Sequence, residues 1–368
     1  PVDLSPEKDL MAAAEHRDRL FYHPYDSFVP LVTLLKQAAN DPQVLTIKIT
    51  LYRIDKRSPI IDALMQAREN GKAVAVVVEL KARFDEENNI VWARALENAG
   101  VHVVYGLMDL KVHAKLLLIV RKKGDSIVRY SHMSSGNYNA QTSRIYGDIG
   151  YLTSDPDIGA DVADLFNYLT GYAQKDGYRR LMVAPVTLKR EMIARIDREA
   201  KRQREHGDGY IGFKLNGLLD PEVIQALYRA SQDGVRIDLN VRGLCALRPG
   251  VKGLSENIKV SSIVGRFLEH ARIYYFRNGG KEEVYLGSSD LMPRNLHKRV
   301  EVLFPVLDQS YLRALVDVIF PIHLHDNLKS RDMLPDGTYV KRKAKKGEDL
   351  VSSQDWLIEN RGIWHKEG

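Results

Sequence analysis

The chain has 368 residues, of which 44% are hydrophobic and 28% charged, with a formal net charge of +6 at pH 7. That balance excludes a disordered or fibrous protein, and the length exceeds what one compact core usually organises, so two units are expected. A single cysteine, Cys245, excludes an internal disulfide and a multi-cysteine metal site, and no run approaches the roughly 18 to 20 apolar residues that cross a bilayer.

The opening Pro1-Val2-Asp3-Leu4-Ser5 lacks the pattern of a secretory signal, so a cytoplasmic protein is expected. Pro1 to Asp9 reads as the interior of something longer, with an N-terminal portion expected before it. Residues 44–52 alternate and are rich in β-branched side chains, which predicts a strand with Arg53 at its exit. Residues 60–69 have helical spacing and end at Asn70-Gly71; the apolar run 73–78 then predicts a buried strand, followed by Arg83. A second helix over 90–98 stops at Gly100, ahead of strands at 101–105 and 113–120. This alternation predicts an α/β layered domain with a largely parallel sheet.

Residues 155–170 are helical, and the polar segment 171–180 places a domain boundary, giving domains 1–180 and 181–368. After a helix over 188–205, a strand at 210–215, a helix at 221–231, Asp233-Gly234 and a strand at 236–241 ending on Arg242 repeat the opening theme. Further strands are expected at 271–276, 283–287 and 300–306, then a helix over 311–322 and a peripheral basic tail at 341–346.

An internal repeat carries the chemistry. His113-Ala114-Lys115 opens a predicted strand, and 24 residues after His113 comes Asn137, closing Ser134-Ser135-Gly136-Asn137. In the second half His270-Ala271-Arg272 does the same, and Asp290 follows His270 by 20 residues, closing Gly287-Ser288-Ser289-Asp290. A cation two residues beyond each histidine shares its face in a strand, and a small-residue turn lets backbone approach a ligand. Asp148 lies 11 residues beyond Asn137 and Glu301 lies 11 beyond Asp290, each among apolar strand residues. A carboxylate there is costly unless paired, so each acid is expected to fix a histidine tautomer, with the pairing left open. Arg83 and Arg242 precede the two histidines by 30 and 28 residues, a weaker correspondence because their registers differ. The paired pattern points to one active site at a pseudo-twofold interface, where one histidine attacks phosphorus and the other protonates the leaving oxygen or steadies charge. His132 and Cys245 read as structural, and Asp85-Glu86-Glu87 as a solvated helix start.

The repeat resembles the phospholipase D superfamily, whose motif is His-x-Lys with an Asp further along the strand and a Gly-Ser-x-Asn turn. The match is partial: Val120 stands where the Asp is expected and Arg272 replaces the second lysine. Over essentially the whole chain the sequence more closely resembles polyphosphate kinases. The motifs are Ile49-Thr50-Leu51-Tyr52-Arg53, Glu79-Leu80-Lys81-Ala82-Arg83-Phe84-Asp85, Lys111-Val112-His113-Ala114-Lys115, Val241-Arg242-Gly243-Leu244-Cys245 and Phe267-Leu268-Glu269-His270-Ala271-Arg272.

That resemblance implies two similar phospholipase D-like α/β domains packed around a shared active site, the C-terminal half of a four-domain enzyme. It implies reversible transfer of the γ-phosphoryl group of ATP to inorganic polyphosphate through a phosphohistidine at His113, with His270 beside the transferring phosphate. Tyr146 and Arg242 match nucleotide or phosphate contacts, and one further nucleotide contact belongs to the N-terminal part. Arg53 and Arg83 match positions assigned to magnesium. A guanidinium has no lone pair for a cation, so both read as phosphate clamps beside a phosphate-bound Mg2+. Lys115, Asn137 and Arg272 complete the expected phosphate site, and Arg248, Arg294, Lys298 and Arg299 are candidates for a basic polyphosphate path. The implied partners are ATP, ADP and polyphosphate, with no nucleic acid, in a homo-oligomer when full-length; peripheral membrane association is left open. The alternatives are a phospholipase D-like phosphodiesterase and a non-enzymatic polyanion binder.

Overall fold

Alternating side chains and short turns decide the sheet order in the computed structural model, which describes residues 8–52, 58–79, 86–107, 109–171 and 175–366. Arg53, Arg83 and Asp85 lie outside the described residues. The strands in chain order are β1 (Arg19–His23), β2 (Val44–Leu51), β3 (Ala73–Val78), β4 (His102–Val104), β5 (Lys111–Val112), β6 (Lys115–Lys123), β7 (Ser126–Ser134) and β8 (Tyr146–Thr153). They are followed by β9 (Met182–Ala184), β10 (Tyr210–Leu215), β11 (Arg236–Val241), β12 (Ile258–Ile263), β13 (Leu268–Glu269), β14 (Ile273–Phe276), β15 (Glu283–Gly287), β16 (Arg299–Pro305), β17 (Ser330–Met333) and β18 (Tyr339–Lys341).

One sheet runs β1-β8-β7-β6-β2-β3-β4, and the other runs β18-β17-β12-β11-β10-β14-β15-β16. Two short strands change sides: β5 pairs with β16 of the second sheet, and β13 pairs with β8 of the first. The expectation of a largely parallel sheet is corrected. In the first sheet only β2-β3-β4 and the short β13-β8 pair are parallel among the described residues, and β2-β6, β6-β7, β7-β8 and β8-β1 are antiparallel. The cause is the connection: Gly124, at φ 59°, turns β6 directly into β7, whereas a parallel neighbour needs a long crossover.

The helices follow their sequence signals. Asp155 and Asp220 each accept first-turn amide hydrogen bonds, and the proline that follows loses nothing at a position whose N–H has no helical partner. Ile47, Ile49 and Leu51 of β2 face the helices Val29–Asn40 and Pro59–Glu69, forming the outer core of the first half. The other faces of both sheets share one core, in which Leu116, Leu118, Ile149 and Tyr151 pack with Ile273, Leu286, Val300 and Phe304. The helix expected over 311–322 is instead Gln309–Arg313, a π-helical stretch Ala314–Ile319, and Phe320–His325.

The basic run 341–346 is largely exposed, as expected, but the chain beyond it is not peripheral. Beyond β18 the chain forms the helix Ser353–Glu359 and returns to the first half, where Trp364 is buried and its Nε1 donates to Asp26 Oδ2 at 2.9 Å. A basic run masked this, because the buried aromatic comes later. Trp364→Ala is expected to cost about 3–5 kcal/mol, read as a lower urea midpoint with unchanged slope.

Candidate active site

The two strand exchanges build the site. Between β5 and β6 the amides of His113 and Ala114 both donate to the Val300 carbonyl at 3.0 Å. Between β13 and β14 the amides of His270 and Ala271 donate to the Gly147 carbonyl, at 3.1 and 2.6 Å. Each histidine is thereby pinned beside the residue preceding the other half's acid. His113 Nδ1 lies 2.9 Å from Glu301 Oε2, and His270 Nδ1 lies 2.8 Å from Asp148 Oδ1. The pairing left open by the sequence is a crossed one.

Each acid is held by its own turn. Ser135 Oγ donates to Asp148 at 2.7 Å and accepts from the Ile149 amide; Ser288 Oγ donates to Glu301 at 2.5 Å and accepts from the Val302 amide. Asn295 Nδ2 adds a third donor to Glu301 at 2.7 Å. A Cβ on Gly136 would meet the Asp148 carboxyl at 2.5 Å, so this turn needs glycine.

The expectation that His113 and His270 lie in strands with a cation on the same face is corrected. Both histidines occupy breaks, and the cations turn back behind them. Lys115 Nζ donates to the His113 carbonyl and lies 5.2 Å from the Tyr52 ring centroid, buried behind the cavity wall. Arg272 donates to the His270 carbonyl at 2.8 Å, lies 3.3 Å from both ring nitrogens of His270, and pairs with Asp290 at 2.9 Å.

A cavity of about 500 Å3 opens between the halves, walled by His113, His270, Asn137, Tyr146, Arg242 and Arg272 together with Tyr52, Asn216, Arg294 and Arg299. Tyr52 and Tyr146 each stand against a histidine, with centroids 5.3 Å from His113 and 5.3 Å from His270. Arg242 Nε donates to Asn216 Oδ1 at 2.8 Å, and among the described residues no carboxylate pairs with its guanidinium. Of the expected basic path, Arg294 and Arg299 line the cavity, whereas Arg248 and Lys298 are exposed and do not.

Electrostatics separates the histidines. Burial, then the charges of Lys115, Arg299 and Arg272, push His113 well below its ordinary pKa. Burial lowers His270 too, but Asp148 opposes it. Burial raises the Glu301 carboxyl, but the charges of Lys115, Arg299 and Arg272 and the hydrogen bonds from Ser288 and Asn295 favour its ionised form, which accepts from Nδ1. His113 therefore carries its proton on Nδ1 and has an unprotonated Nε2.

Sequence reasoning missed Tyr52, Asn216, Asn295 and Glu79. For Tyr52, Glu79 and Asn216 the signal was the strand exit; Asn295 lies in the helix Pro293–Lys298. The Glu79 amide donates to the Leu51 carbonyl exactly as Arg242 donates to Leu215, at 3.0 and 3.1 Å, so Glu79 and not Arg83 stands in Arg242's place.

Residues 9–175 match the family described as polyphosphate kinase C-terminal domain 1, and residues 181–354 match polyphosphate kinase C-terminal domain 2. The chain belongs to the polyphosphate kinase family. It is 55% identical over 341 residues to a polyphosphate kinase of Prosthecochloris aestuarii, covering 93% of this chain and 48% of the relative. To one from Synechocystis it is 53% identical over 347 residues, covering 94% and 48%. The chain thus spans about half the length of the curated relatives it matches. The crystal structure of a Porphyromonas gingivalis polyphosphate kinase superposes with a TM-score of 0.92 at 38% identity, over 99% of this chain and 56% of that one. A Haemophilus influenzae phosphatidylserine synthase structure shares the fold at 10% identity, with a TM-score of 0.57 over 94% and 93% of the two chains.

Two other sequence candidates are structural in this polyphosphate kinase fold. His132 is buried against the Tyr138 hydroxyl, and burial pushes its pKa down to about 3. Cys245 is half-buried with its thiol pushed up to about 11 by burial. No helix among the described residues is long and apolar enough to cross a membrane. Nor does any group of three metal-ligating side chains occur among them. The carboxylates at the cavity, Asp148, Glu301 and Asp290, are engaged by histidine or arginine. Asn137 Oδ1 is a buried acceptor at this wall with no partner. These residues fit a magnesium ion held chiefly by substrate phosphates and waters, with Asn137 receiving one of those waters.

Proposed function

We propose that the chain is the phosphotransfer half of a polyphosphate kinase, which moves the γ-phosphoryl group of ATP to inorganic polyphosphate through His113. The observation that carries this reading is a neutral imidazole oriented by Glu301 at a cavity rich in cations. The lone pair of His113 Nε2 forms an N–P bond as the bond from the γ-phosphorus to the bridging oxygen breaks, and ADP leaves with those electrons. The Nδ1 proton stays on His113, and Glu301 stabilises the positive charge that develops on the ring. A terminal oxygen of polyphosphate then attacks phosphorus, the N–P bond breaks and the lone pair returns to Nε2. Splitting the transfer lets one site serve two anionic substrates in turn.

A difference between the halves supports these roles. Arg272 is neutralised by Asp290, whereas the first half has the uncharged Asn137 at the corresponding turn position. Burial lowers the Lys115 pKa while Glu301 and Asp148 support its charge, and a phosphate anion on the His113 side would support that charge further. His270, whose proton Asp148 supports, steadies the leaving oxygen or protonates it. Arg242, with Tyr146 beside it in the cavity wall, takes the nucleotide phosphates; Arg53 and Arg83 are proposed as further clamps. Magnesium, when bound, neutralises charge on the phosphate oxygens.

The test is to incubate the full-length protein with magnesium and γ-labelled ATP and to measure acid-labile, base-stable phosphate on the protein. No label on wild type would end this reading and leave phosphodiester hydrolysis in its place. Arg242→Gln is expected to raise the KM for ATP about 10- to 100-fold while leaving label at saturating ATP. The pH dependence has a definite sign. His113 keeps its lone pair above its depressed pKa and loses it as pH falls through that value, so the rate of labelling should stay flat down to about pH 6.5 and fall only below it.

A further inference from the structure

Directly behind His270 lies a second cluster of charged groups that the transfer chemistry does not use. Glu269, Lys214 and His323 are each at least nineteen-twentieths buried, at 4%, 1% and 0% exposure. Lys214 Nζ pairs with Glu269 Oε2 at 2.8 Å and His323 Nε2 lies 3.3 Å from the same oxygen, while Gln354 Nε2 donates to Glu269 Oε1 at 2.6 Å. His323 is itself held, its Nδ1 donating to the Ile319 carbonyl at 2.6 Å and the Tyr22 hydroxyl lying 3.2 Å from its Nε2. The carboxylate of β13 is therefore met from β10 and from the helices Phe320–His325 and Ser353–Glu359, and β1 joins through the contact of Tyr22 with His323.

The place of that carboxylate gives the cluster its meaning. β13 consists of Leu268 and Glu269, too short to hold its own register by ladder bonds, and His270 follows it at the break. Successive side chains point to opposite sides, so Glu269 drives inward while His270 faces the cavity. Gln354 also brackets Phe267, accepting from its amide and donating to its carbonyl at 2.9 Å. Lys214 extends toward the Ala271 carbonyl, at 3.5 Å, and Asn216 donates to the His270 carbonyl at 3.1 Å. The backbone on both sides of His270 is thus tied to the cluster.

The first half is built otherwise. Val112 precedes His113 where Glu269 precedes His270, and Thr50 donates to the Ala114 carbonyl at 2.7 Å where Lys214 reaches Ala271. The Thr50 hydroxyl and the buried Glu79 carboxylate, which accepts from the Val112 amide at 2.9 Å, hold the backbone at the first histidine; the Lys214–Glu269 pair with Gln354 holds it at the second. A buried ion pair adds little net stability over an apolar replacement, so its retention here points to positioning.

We propose that Glu269, clamped by Lys214, His323 and Gln354, is the positioning residue of His270. The inference rests on the role given to His270 above. It is tested by a double-mutant cycle in the full-length protein, with Glu269→Gln, His270→Gln and the combined variant. Glu269→Gln alone is expected to lower kcat about 10- to 100-fold, with a change in KM for ATP no larger than that of His270→Gln. Added to His270→Gln, it should cost less than about twofold further, because a positioning residue acts only through the group it positions. Lys214→Met combined with Glu269→Leu, which removes both members of the Lys214–Glu269 pair, carries the same cycle if Glu269→Gln does not fold. Additive losses in a wild type that takes label from γ-labelled ATP would overturn the positioning role alone. A wild type that takes no label would overturn the underlying reading.

Discussion

His113→Ala is expected to take up no acid-labile phosphate from γ-labelled ATP and to lose transfer activity by at least about 10^4-fold, the scale seen when a covalent nucleophile is removed. His270→Ala, by contrast, is expected to form the labelled intermediate slowly, because His113 keeps Glu301 and an unprotonated Nε2. Time courses of labelling with both variants check this. Equal labelling of the His113 variant and wild type would show that another residue carries the phosphoryl group.

Glu301→Gln is expected to behave like a His113 variant, and Asp148→Asn like a His270 variant, although each acid lies in the opposite half of the chain from the histidine it serves. An amide oxygen can still accept from Nδ1, but it cannot stabilise the charge that develops on the ring, and an amide nitrogen turned inward would enforce the wrong tautomer. The loss for Glu301→Gln is expected on the order of 10^4-fold in the rate of labelling. Asp148→Asn should leave labelling measurable and reduce turnover about 10^2- to 10^4-fold. If the two acid variants instead grouped with the histidines of their own halves, the crossed arrangement would be wrong.

These predictions draw on both levels of information. The histidines, the serine turns and the acids could be read as a repeat, because catalysis constrains residue type and spacing within each half. The family resemblance implied Tyr146 and Arg242 and the serine turn offered Asn137, all of which reach the cavity. The strand breaks at His113 and His270 were not legible, since a two-residue strand such as Leu268–Glu269 leaves no periodicity to detect. Lys298 and Arg299 show the same limit at close range. They are neighbours of equal charge, yet only Arg299 lines the cavity, because consecutive side chains near a strand start point to opposite sides.

By itself the sequence determined the chemical inventory: two histidines, two cations and two acids, at spacings that imply a duplicated α/β unit acting on phosphate. Only the tertiary structure decided which acid orients which histidine, that Lys115 stands behind the cavity wall while Arg272 lines it, and that a buried cluster around Glu269 ties the backbone at His270. The physical reason is that these relations run between strands far apart in the chain. Backbone hydrogen bonds from His113 to Val300 and from His270 to Gly147 set them, and spacing within either half does not encode those partners.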